Sequence, residues 1–140
     1  MRTNKIEMMK SGLIMLCLLI VLSSQVNAQS TDLYIVINEA TWCPYCKANG
    51  QRIHQLIDEY TEGKQIVVLS NDVTDGETKK KTEPQLEEMG VLYYMKNHKE
   101  AAVIFVFDAK TKKIAEKFSI KTDNKKVIAY LNKAMESTVN

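Results

Sequence analysis

Residues 32–46 read DLYIVINEATWCPYC, and this stretch decides the fold. Asp32 to Asn38 is a β-branched and aromatic run suited to a buried strand. Beyond it stand two cysteines in C-x2-C spacing, Cys43 and Cys46, with Pro44 directly after the first. Proline fits the first turn of a helix, where its missing N–H would have had no partner. Ile53, Leu56, Ile57 and Tyr60 then recur at helical spacing on one face, and Gly63 is placed to close that helix.

Gln65 to Ser70 (QIVVLS) reads as a second strand, and the polar stretch from Asn71 to Thr82 as a loop. Glu83-Pro84 is expected to start a helix carrying Leu86, Met89, Leu92 and Tyr93. Ala101 to Phe107 (AAVIFVF) is the third strand. Asp108 to Thr111 supplies turn chemistry, and Lys113 to Ile120 alternates as a hairpin partner. Thr122 or Asp123 can cap a last helix with Val127, Ile128, Leu131 and Met135 on its apolar stripe. The expected class is α/β with the order β-α-β-α-β-β-α. Parallel pairing in the first half and a late antiparallel hairpin make a central mixed sheet flanked by helices.

The N-terminus reads differently. Arg2, Lys5 and Lys10 precede the apolar run Leu13–Leu22, and the small-residue site Val26-Asn27-Ala28 follows. That is the pattern of a secretory signal peptide cleaved after Ala28. Domain organisation is therefore read as leader 1–28 and one domain over 29–140, with export to a periplasm expected. The run is shorter than the roughly 20 apolar residues of a membrane span, so an uncleaved anchor is the lesser reading. Cys17 follows the bulky Leu16, which speaks against lipid attachment.

The chain's 19 basic and 17 acidic residues include Arg2, Lys5, Lys10 and Glu7 of that leader, so the remainder carries 16 of each. This balance gives no reason to expect a nucleic-acid partner. Beyond the leader only Cys43 and Cys46 remain of three cysteines. A disulfide closing so short a loop removes little unfolded-state entropy, so the pair asks for a chemical role. A zinc site would need His54 and His98, which show no ligand spacing, and no metal is expected. A helix N-terminus favours a thiolate, which makes Cys43 the expected nucleophile. Cys46, one turn on, is expected to be the more buried resolving thiol.

A first strand leading directly into WCPYC at a helix start, followed by this order of elements, resembles the thioredoxin superfamily over nearly all of residues 31–137. The resemblance implies a thioredoxin-like fold and thiol–disulfide exchange through Cys43 and Cys46. It implies no cofactor beyond that redox-active pair, protein thiols or disulfides as partners, a membrane redox partner for recharging, and a monomer. Pro44-Tyr45 is the dipeptide of glutaredoxins and some periplasmic disulfide enzymes, which implies a centre less reducing than thioredoxin at about −270 mV. Trp42 is expected beside the disulfide, shielding it. Glu39 is a candidate general base for Cys46, although the family's buried acid lies six residues before the first cysteine, where this chain has Ile37. The alternative for Glu39 is a solvated strand-end carboxylate. The family's cis-proline before the third strand is missing: no proline follows Pro84, and the position falls at Ala101 or Ala102 with a trans bond expected. The rival reading is a non-catalytic binding module braced by a structural Cys43–Cys46 disulfide.

Overall fold

The structure, a computed structural model, describes residues 30–138, so the leader expected over residues 1–28 lies outside the described residues. The elements are β1 (Leu33–Glu39), α1 (Pro44–Thr61), β2 (Ile66–Asp72), α2 (Gly76–Glu88), α3 (Leu92–Met95), β3 (Val103–Asp108), β4 (Ile114–Ser119) and α4 (Asn124–Thr138). The strand order is β2-β1-β3-β4. β1 runs parallel to β2 and antiparallel to β3, and β3 and β4 form the expected hairpin.

Both faces of the sheet are covered, because β1 and β3 carry apolar side chains at successive positions. Leu33, Ile35 and Ile37 point with Ile104 and Val106 toward Ile53 and Ile57 of α1 and Val127 and Leu131 of α4. Val36, Phe105 and Phe107 point the opposite way, onto Leu86, Met89, Val91 and Met95. Each of these side chains, fully buried, contributes roughly 1.5–3 kcal/mol over an exposed one. The helix α1 ends where expected: Gly63 takes φ +71°, a left-handed conformation that suits glycine.

Three expectations are corrected. Residues 71–82 are not a loop, since β2 continues to Asp72 and α2 begins at Gly76. Asp75 caps that helix by accepting the N–H groups of Glu77 and Thr78, and the Thr78 hydroxyl caps in return. Glu83-Pro84 does not start a helix; Pro84 lies inside α2. The helix tolerates it there because Pro84 and Lys80 are exposed, and water can satisfy the Lys80 carbonyl that loses its partner. Tyr93 is not on a buried stripe but 78% exposed, because the chain breaks at Gly90 into the separate short turn α3, whose Met95 is buried instead.

Candidate active site

β1 delivers the chain to Ala40, whose carbonyl accepts the Cys43 N–H at 3.1 Å. Cys43 is the N-cap of α1, with Pro44 in the first turn behind it. As a cap, its Sγ accepts the backbone N–H of Cys46 at 3.2 Å. The Cys46 sulfur lies 2.6 Å from it, so the two sulfurs form one closely held pair at the helix start.

The expected order of burial is reversed: Cys43 is only 3% exposed and Cys46 is half-buried. The cause is the cap itself. A capping side chain folds back over the first turn to reach an amide three residues on, which carries the Cys43 sulfur into the core cluster beside Ala40 and Ala102. Burial pushes the Cys46 thiol above its ordinary range, helped by its bond to Cys43, while the backbone amides of Ala40 and Ala102 work the other way.

Trp42 is 59% exposed, and its Nε1 donates to the Thr74 carbonyl at 3.0 Å. Tyr45 is likewise exposed, with the Lys121 ammonium 4.3 Å from its ring centroid.

Glu39 keeps about a quarter of its side chain exposed and is paired. Ile35, Ile37 and Glu39 alternate onto the α1 face of the sheet, and there Glu39 Oε1 meets His54 Nε2 at 2.9 Å. One cavity of about 520 Å³ is lined by Glu39, Ala40, Thr41, Cys46, Lys47, Ser70 and Asp72. The structure therefore brings Glu39 and Cys46 onto the walls of a single space, with His54 behind the carboxylate.

The turn 98–102 closes the site from β3, and sequence reading missed how it is held. Asn38 and Asn71 are buried polar residues facing each other across β1 and β2. Asn38 Nδ2 donates to the carbonyls of His98 (3.3 Å) and Glu100 (3.1 Å), and its Oδ1 accepts from Asn71 at 2.8 Å. The Thr82 hydroxyl of α2 completes the chain on Asn71. Ala102 stands where the proline was sought, with no cis bond among the described residues and φ +62°. That left-handed conformation costs a residue with a Cβ roughly 1–2 kcal/mol, so its neighbours must hold it. On the outer side Glu100 takes Lys117 at 2.8 Å and His98 at 2.9 Å. Burial opposes its ionisation, but the Lys117 and His98 bonds and a backbone amide outweigh it and hold the carboxyl at about 2. Among the described residues no three His, Cys, Asp or Glu side chains converge on a metal position.

No protein-family profile and no curated sequence matches the chain. Solved structures do. An uncharacterized thioredoxin-like protein from Porphyromonas gingivalis aligns with a TM-score of 0.50 at 13% identity, over 76% of this chain and 78% of that one. A DsbF homologue from Corynebacterium diphtheriae gives 0.48 at 15% identity, over 74% and 72%. Thioredoxin f2 from Chlamydomonas reinhardtii gives 0.47 at 19%, over 75% and 81%. At these identities a likeness speaks for the fold alone, and the Porphyromonas structure carries it. The chain has a thioredoxin-like fold, with Cys43 and Cys46 at the start of its first long helix.

Proposed function

We propose that this chain is an exported thiol–disulfide oxidoreductase working through Cys43-Pro44-Tyr45-Cys46. The observation that carries the reading is the close pair of sulfurs at a helix start, with the Cys43 sulfur accepting the Cys46 N–H. Cys43 attacks a substrate disulfide; a bond forms between its sulfur and one substrate sulfur, and the other leaves as a thiolate that takes up a proton. Cys46 then gives up its proton and attacks Cys43, closing the Cys43–Cys46 bond and releasing the second substrate thiol. Two electrons pass from the dithiol to the substrate, and the reverse sequence oxidises a substrate dithiol. The dithiol carries the electrons, so no cofactor enters.

Because burial pushes the Cys46 thiol up, its proton needs an acceptor. Glu39 fills that role across the shared cavity, with His54 bonded to its carboxylate. Substrates are protein thiols or disulfides, with a membrane redox partner recharging the pair. Export rests on the leader pattern of residues 1–28, and a periplasm is the compartment this reading assigns. One observation favours the binding-module reading: the 3% exposure of Cys43 limits access to its sulfur.

Single-turnover exchange with a small aromatic disulfide tests both parts. We expect rapid formation of a mixed disulfide at Cys43 followed by release, with Glu39→Gln slowing release about a hundredfold, the low end of the usual range for losing a general base. Failure of the first phase in folded protein would end the oxidoreductase reading; an unchanged second phase in Glu39→Gln would remove only the role of Glu39.

A further inference from the structure

Three backbone groups of the 98–102 turn converge on one residue. The His98 and Glu100 carbonyls accept from the Asn38 side chain, and the Ala102 N–H donates to the Asn38 carbonyl at 2.8 Å. Asn38 is wholly buried, and both donors and the acceptor of its amide are used. A buried amide is retained at such a position only when its partners are satisfied. The Ala102 carbonyl in turn accepts the Ile120 N–H at 3.0 Å, tying the far end of the turn to the β4 side. Ala102 packs in the same cluster as Ala40 and Cys43, and Ala101 and Cys46 lie against that cluster.

We propose that Asn38 is a positioning residue, which holds the 98–102 turn as a fixed wall beside Cys46 and so sets the access and solvation of that thiol during resolution of the mixed disulfide. The inference rests on the redox reading of the dithiol for its purpose, but not for its test. A residue in the left-handed conformation persists where its surroundings over-determine it, and the Asn38 side chain supplies part of that constraint by holding the His98 and Glu100 carbonyls just before Ala102. The outer clamp of Glu100 by Lys117 and His98 acts on the same turn from solvent. Asn71 and Thr82 extend the network from the Asn38 Oδ1, the other end of the amide from the nitrogen that holds the turn.

This difference makes the test. In a Cys43→Ser background, Cys46 is the one thiol beyond the leader, and its alkylation by iodoacetamide reads its exposure directly. Asn38→Ser removes both side-chain bonds to the turn and is expected to raise the rate at least about tenfold, a factor of the order that even one lost buried hydrogen bond supports. Thr82→Val, which breaks the far end of the same network, should leave the rate within about twofold. A folded Asn38→Ser protein with an unchanged rate would overturn the proposal, as would an equal rise in Thr82→Val. If Asn38→Ser does not fold, hydrogen exchange in the unaltered protein decides. The Asn38 side-chain amide protons, which bond the His98 and Glu100 carbonyls, should exchange slowly, and exchange at open-loop rates would overturn the assignment. Alkylation does not read turnover, so a protein without oxidoreductase activity would still answer the question.

Discussion

Replacing Cys43 by serine is expected to abolish disulfide exchange, lowering turnover by at least about a thousandfold, while the fold survives. The second half of that expectation follows from the cap. Serine is among the preferred N-cap residues, and its hydroxyl can accept the Cys46 N–H that the Cys43 sulfur accepts now. The helix start is preserved and only the nucleophile is lost. Cys46→Ser has a different outcome: Cys43 still attacks, nothing resolves the product, and a mixed disulfide accumulates that mass spectrometry detects. Equal activity in Cys43→Ser and the unaltered protein would place the chemistry elsewhere.

The largest expected effect on stability is at Phe105. This side chain is wholly buried on the α2 face of the sheet, paired across β1 with Val36, stacked at 6.4 Å on Phe107 and 4.8 Å from His98. Phe105→Ala removes that ring from a packed layer and should cost about 3–5 kcal/mol. A small domain has only about 5–15 kcal/mol in total, so the urea midpoint should fall steeply. Val67→Ala, on the edge strand and largely open to solvent, is the comparison and should change stability by less than about 1 kcal/mol. Similar losses in the two variants would contradict the core described here.

The parts of this protein that were legible in its sequence are those written locally. The runs DLYIVIN and AAVIFVF announce strands, and Pro44 marks the helix start that makes Cys43 a cap. What escaped was written in register and geometry. The start of α2 hid in a polar segment because that helix buries a single residue, Leu86, and its signal was the Asp75–Thr78 capping pair. The burial of Asn38 and Asn71 follows from their pairing across β1 and β2, which no single strand displays. The alternation Ile35, Ile37, Glu39 does place Glu39 on the α1 face. Its meeting with His54 needed the strand-to-helix turn to bring together residues distant in sequence. The order of burial of the two sulfurs depends on how a cap folds back, which spacing alone does not specify.

The central claim is that Cys43 and Cys46 form a working redox couple, and equilibration in glutathione buffers followed by Trp42 fluorescence tests it most directly. We predict one two-electron transition with a potential between about −120 and −270 mV, the range spanned by known disulfide oxidants and thioredoxin. A folded protein whose dithiol does not exchange with glutathione at any ratio would contradict the account and leave a binding module in its place.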